Sequence, residues 1–160
     1  DRATLHRFGA AMRSLAIAGA LETVLALSVE YAQQRVQFGR PIGKFQAIQQ
    51  NLASLAGQCM AAQAAGDIAA ESFTAGLPLA AIAAAKLRAG EAAGVAAGIA
   101  HQVHGAIGFT QEHRLHFFTK RLWSWRDEFG GESEWGLVLG RLAAAAGADR
   151  LWPDLIAATA

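Results

Sequence analysis

The stretch from Tyr31 to Gln50, YAQQRVQFGRPIGKFQAIQQ, gathers the residues best suited to chemistry. Arg35, Gln37, Arg40, Lys44 and Gln46 crowd a short segment that also carries Tyr31, Phe38 and Phe45. An arginine offers a fixed charge and a planar fork that grips phosphate bidentately. Gln46, one turn into the following helix, can hydrogen-bond the same ligand. Aromatic rings beside these donors suit a ligand that is aromatic in one part and anionic in another. The plainer alternative is a solvated corner in which an arginine caps helix carbonyls.

Three other segments carry candidate chemistry. His101-Gln102-Val103-His104-Gly105-Ala106-Ile107-Gly108-Phe109 ends a polar run on glycine, which lets a backbone approach a ligand closely. A helix C-cap at Gly105 explains the same residues without a ligand. His101/His104 and His113/His116 are pairs at helical spacing, and four imidazoles suit zinc. A glycine-rich break separates the pairs and nothing forces them onto one point, so no metal is expected. Last, Trp123 to Trp135 packs Asp127, Glu128, Glu132 and Glu134 among aromatics. An acid in such surroundings can have a raised pKa suited to proton abstraction. The alternative is a helix–turn–helix whose acids favour the next helix N-terminus.

These segments need elements to hold them. The chain has 160 residues, 53% of them apolar and 17% charged, with a net charge of +1. That length fits one domain with a real core. Alanine, the best helix former, dominates the apolar part. The spacing predicts helices over about 3–37, 44–75, 78–104, 111–127 and 132–147. Leu5, Phe8, Met12 and Leu15 form one apolar stripe of the first helix, and Ile17, Leu21, Val24 and Leu25 a neighbouring one. The second helix carries Phe45, Ile48, Leu52, Leu55, Cys59, Ala62, Gly66, Ala69 and Phe73 in an unbroken alternation of three and four, the seam of a near-antiparallel bundle. Gly90, Gly94 and Gly98 make a flat strip on the third, on which another helix is expected to lie. Gly39 and Pro41 mark a sharp corner between the first two helices. No strand pattern of convincing length appears, and the tail from Ala148 reads as irregular. The expected fold is all-α, an up-and-down four-helix bundle with an additional short C-terminal helix, one domain over 1–160.

A near-neutral charge gives no field for nucleic acid. Cys59 stands alone and reads as a buried filler. Apolar runs look broken well short of the ~20 residues a bilayer span needs, and no signal peptide is expected, so the expectation is a soluble cytoplasmic protein. The low charged fraction suggests that other subunits or domains cover part of the surface.

Taken together, the segments resemble the C-terminal helical domain of the acyl-CoA dehydrogenase family. The specific parts are Tyr31 to Gln46, Gln102 to Phe109 (QVHGAIGF), and the turn from Arg126 to Gly131. The resemblance implies an FAD flavoprotein, usually a homotetramer, whose subunits also have an N-terminal helical and a middle β domain. Whether this chain is a fragment or a stand-alone remnant is left open by its residues. The resemblance places Arg35 at the FAD pyrophosphate and Gln46 on the same cofactor, with Gln37 and Phe38 beside them. Gln102, Val103, His104, Gly105 and Ala106 correspond to the family's Gln-x-x-Gly-Gly stretch, which touches a neighbouring subunit's FAD. Ala106 replaces the second glycine. The implied reaction belongs to fatty-acid metabolism: a carboxylate removes a proton from Cα of an acyl-CoA thioester while hydride leaves Cβ for the flavin. The implied partners are acyl-CoA, subunits of the same or a paralogous kind, and an electron-transferring flavoprotein.

One departure concerns the base. Counting forward from Gly108, the family's usual glutamate falls on Phe129, and Glu128 lies one residue early. The alternative place on the first helix falls at about Gly9 to Ala10, with no acid. Glu128 or Glu132 serves as base only through a register shift. The other expectation is a non-catalytic subunit or helical scaffold of a heteromeric dehydrogenase.

Overall fold

A computed structural model describes residues 1–157. The order is α1 (Arg2–Gln34), β1 (Val36–Gln37), β2 (Arg40–Pro41), a 3-10 turn (Ile42–Lys44), α2 (Gln46–Ser72), α3 (Leu79–His104), a second 3-10 stretch (Gly105–Phe109), α4 (Leu115–Asp127), α5 (Glu132–Ala146) and α6 (Ala148–Ala157). The all-α bundle is as expected, with two additions. The tail that reads as irregular forms α6, with Pro153 inside it. The corner between α1 and α2 contains a minimal antiparallel ladder, Val36 opposite Pro41 and Gln37 opposite Arg40.

α1 begins where the Asp1 carboxylate accepts a hydrogen bond from Thr4 N at 2.7 Å, an N-cap that satisfies one orphan donor. Of its two predicted stripes, the second is buried at Ile17, Leu21 and Val24, whereas the first faces largely outward. Leu5 is 67% exposed, and Phe8 and Met12 are also exposed. The buried face is Gly9, Ala10, Ser14, Ile17, Leu21 and Val24. Small residues won the inside because they let α2 and α3 come close. A Cβ on Gly66 of α2 would lie 3.1 Å from the Ala18 Cβ, so this crossing depends on glycine. Ser14 and Ser28, both buried, donate to the carbonyls of Ala10 and Val24 one turn back, so neither hydroxyl is left unpaired.

Leu55, Ile82, Leu115, Leu122 and Trp135 complete the core. The seam of α2 holds through Leu55, Cys59, Ala62, Gly66 and Ala69, all buried, while Phe45 precedes the helix as its cap. By length and composition α1 is apolar enough to cross a membrane, against the expectation that no run reaches that length. Here its small-residue face is spent on the bundle.

The glycine strip of α3 is covered by an ion pair rather than by a helix backbone. A Cβ on Gly90 would sit 2.9 Å from Glu132 Oε1, and one on Gly94 3.5 Å from Arg126 Nη1. Arg126 and Glu132 bond each other across the strip. Gly98 has open space around it and is exposed. Gly98→Ala should therefore stabilise the chain by up to about 1 kcal/mol through helix propensity. A urea midpoint that does not rise would show that the open space at Gly98 is not the whole account.

Candidate functional site

The hairpin after α1 exists because two consecutive residues take left-handed backbone conformations, Phe38 (φ 53°) and Gly39 (φ 77°). This is the pattern a two-residue hairpin turn requires. Glycine takes it freely, whereas phenylalanine does so at a cost. The ladder is closed by Ile42 N donating to Arg35 O at 2.8 Å, and Pro41 sits where a missing N–H is tolerated. The Arg40 guanidinium lies 4.2 Å above the Phe45 ring, and Phe38 meets the same ring edge-on at 6.0 Å. Phe38 itself is 91% exposed at the tip.

Arg35 ends α1, its N–H bonded to Tyr31 O at 2.9 Å. Arg35, Gln37 and Gln46 are all exposed. Among the described residues none of their side chains takes part in a hydrogen bond or ion pair. This is a donor set with its capacity unspent, carried on a short braced turn. Its chemistry fits a pyrophosphate: one fixed guanidinium, two amides and an adjacent aromatic face.

The second segment stands next to it. Gln102, Gly105 and Ala106 face outward, while Val103 and His104 are buried. So in this chain the outward edge of QVHGA is Gln102 together with the Gly105–Ala106 backbone. Gly105 alone needs the left-handed φ, 64°. Ala106 does not, so alanine enters that position without backbone strain. His104 stacks on Tyr31 with centroids 4.6 Å apart and planes 23° apart. Tyr31 also meets His113 edge-on at 5.9 Å. Tyr31 thereby joins the end of α1, just before the hairpin, to the end of α3, just before the Gly105 loop.

The histidine pairs are spent on packing. His101 Nε2 pairs with Thr119 Oγ1 at 2.9 Å, and its ring stacks on Phe109 at 4.0 Å and on Trp123 at 5.6 Å. His104 Nδ1 pairs with Ala100 O at 2.8 Å. Burial pushes both imidazoles below the usual histidine value. Among the described residues no three His, Cys, Asp or Glu side chains gather as a metal site.

The α4–α5 turn holds the last set. Glu128 Oε1 accepts from Ser124 Oγ at 2.7 Å, and Oε2 from Arg13 Nε at 2.6 Å. The Ser124 bond, with Arg13 beside it, holds the carboxyl below the usual carboxylate range. A general base near neutral pH needs the opposite shift. Glu132 is spoken for as well: burial acts to raise its pKa, but the Arg126 bond, a backbone hydrogen bond and the nearby positive charges together leave it lowered. Phe129 takes a left-handed φ of 57°, and its carbonyl accepts from Trp135 Nε1 at 2.9 Å. Its ring lies on Gly9 of α1 so closely that a Cβ on Gly9 would run into it. The usual base place, Phe129, thus lies on Gly9, within the alternative stretch of about Gly9 to Ala10, and neither place carries an acid.

The model of the family described as "Acyl-CoA dehydrogenase, C-terminal domain" matches residues 3–134. The chain belongs to the acyl-CoA dehydrogenase family. It is 47% identical over 103 residues to acyl-CoA dehydrogenase IpdE2 of Mycobacterium tuberculosis, covering 64% of this chain and 31% of that protein. It is 36% identical over 110 residues to an acryloyl-CoA reductase (NADH) of Anaerotignum propionicum, covering 68% and 27%. Among solved structures, it matches the ChsE4-ChsE5 complex from M. tuberculosis with a TM-score of 0.77 at 30% identity, covering 90% of this chain and 40% of that one. Butyryl-CoA dehydrogenase from Megasphaera elsdenii matches with a TM-score of 0.70 at 31% identity, covering 85% and 35%. The chain spans about a third of the length of the curated acyl-CoA dehydrogenases and reductases it matches. The cofactor of the acyl-CoA dehydrogenases is FAD.

Sequence reasoning passed over Arg13 and Lys86, both of which hold the α4–α5 turn. Lys86 left a trace, a cation inside the alanine-rich run Ala80 to Ala89, which also holds Arg88.

Proposed function

We propose that this chain forms the C-terminal helical part of an FAD-dependent acyl-CoA dehydrogenase. Its contribution is to hold the cofactor. Arg35 grips the pyrophosphate, Gln37 and Gln46 add hydrogen bonds, and Phe38 covers an apolar face. Gln102 and the Gly105–Ala106 backbone serve a second flavin across a subunit interface. The observation that carries this reading is the exposed, braced hairpin with Arg35 and Gln46 unengaged. FAD, when bound, supplies the hydride acceptor for α,β-dehydrogenation of an acyl-CoA thioester. An electron-transferring flavoprotein is the proposed onward acceptor. The test is the full-length protein reconstituted with FAD and mixed with a panel of acyl-CoA thioesters. Flavin bleaching by at least one of them supports the reading, and a protein that retains no flavin would sink it.

A second reading, favoured by Phe129 lying on Gly9, is that the proton-abstracting carboxylate belongs to another subunit or another part of the protein. A phenylalanine accepts no proton, and Glu128 is tied to Arg13 and Ser124. A paralogous partner is in keeping with the similarity to a ChsE4-ChsE5 complex. On this reading Glu128→Gln in the full-length protein leaves the bleaching rate within about twofold. General-base loss slows such steps by about 10²–10⁴, so a drop of that size would return Glu128 to the chemistry.

A further inference from the structure

Lys86 of α3 is 1% exposed, the largest fully buried side chain in the core. Its ammonium donates to Arg126 O at 2.6 Å and to Gly130 O at 2.8 Å. Among the described residues no carboxylate comes within ion-pairing distance of it. Burying a cation on neutral partners is expensive, and an aliphatic side chain would fill the same space at lower cost. The two carbonyls are the clue. Arg126 O is one of the C-terminal carbonyls of α4 left without a helical partner, and a cation there also answers the helix dipole. Gly130 O lies just past the turn. One ammonium thus ties together the two ends of the segment Asp127-Glu128-Phe129, in which Phe129 is held left-handed.

We infer that Lys86 is a positioning residue: its buried ammonium, bridging the carbonyls on either side of the α4–α5 turn, aims the side chain at position 129 toward Gly9. The inference goes beyond the proposed flavin role and is independent of which subunit supplies the base.

Other charges face the ammonium from every element packed on it. Glu132 and Glu134 come from α5, and Asp127 and Glu128 from the end of α4, while the Arg126 guanidinium is engaged by Glu132. Arg13 of α1 approaches through its bond to Glu128. Burial lowers the Lys86 pKa to about 8, and the four acids only partly offset it. Above that pH a neutral amine still has N–H groups to offer, but without the charge its bonds are roughly half as strong. Folding stability moves the other way. The unfolded lysine keeps its proton to about 10.4, so between these values the unfolded chain binds more protons and the Lys86 contribution to stability rises with pH.

The test places 4-fluorophenylalanine at position 129 of the full-length protein and follows its fluorine resonance with pH. The expected result is a titration with a midpoint near pH 8 in the parent, absent in Lys86→Arg, whose guanidinium stays charged. In Lys86→Met, amide exchange over residues 127–131 should accelerate on the order of tenfold or more, with α1–α3 protection unchanged. A parent resonance that does not titrate between about pH 7 and 9.5, or one that titrates identically in Lys86→Arg, overturns the inference. So does a uniform loss of protection in Lys86→Met, which would mark a merely structural lysine. If Lys86→Met does not fold, the two titrations decide alone.

Discussion

Replacing Arg35 by alanine in the full-length protein should cost roughly ten- to a hundredfold in FAD affinity. A charge-assisted, bidentate contact to phosphate is worth about 1.5–3 kcal/mol, which converts to that range. The fold should not notice. Arg35 is exposed, its side chain engages no other described residue, and its backbone bond to Tyr31 O survives truncation. Flavin content after gel filtration and the thermal midpoint of the apoprotein separate the two effects. Gln46→Ala should lose less, on the order of severalfold, because it removes a neutral bond. Arg35→Lys should fall between, keeping the charge without the fork. Flavin content unchanged in Arg35→Ala would refute the assigned role.

The largest expected stability loss lies at Trp135. It is the one buried residue of α5, so the helix is docked chiefly through a single indole. The ring stacks on His6 at 5.4 Å, and Nε1 donates to Phe129 O. Trp135→Ala should cost about 3–5 kcal/mol, as large-to-small core changes do. Trp135→Phe keeps most of the volume and should lose closer to ~1 kcal/mol for the missing bond. Urea unfolding checks both. A loss below about 1 kcal/mol in the alanine variant would mean that α5 is held by something other than this anchor. Hydrogen exchange adds a spatial criterion: protection should fall first over residues 132–146.

The first five helices and their order were legible in the chain because periodicity and glycine punctuation agree over long spans, whereas α6 falls in the tail that reads as irregular. The seam of α2 is the clearest case. The first part of the buried face of α1 was not, because its interior positions there are Gly9, Ala10, Ala11 and Ser14. Hydrophobicity then points to Leu5, Phe8 and Met12, which are larger but outside. What decided the matter was distance between helix axes, a tertiary property. The hairpin was hidden for another reason. Phe-Gly is not a dipeptide that announces a tight two-residue turn, and the left-handed Phe38 is tolerated only because the ladder and the Ile42–Arg35 bond hold it. Of the proposed site, Arg35, Phe38 and Gln46 were named from spacing and resemblance, and all three are exposed. The burial of Val103 and His104 was not, since a helix end at Gly105 leaves open which way its last turn faces. The embrace of Glu128 by Arg13 spans 115 positions in sequence, and no local pattern reports such a pairing.

The stack of Tyr31 on His104 acts as a mechanical linkage. The hairpin begins five residues beyond Tyr31, at Val36, and the Gly105 loop begins one residue beyond His104. Each is a short lever whose pivot is the other's ring. The two are joined across an aromatic contact, although α2 and α3 lie between them along the chain. Two surfaces that read as separate along the sequence are thus built on the two sides of one ring stack.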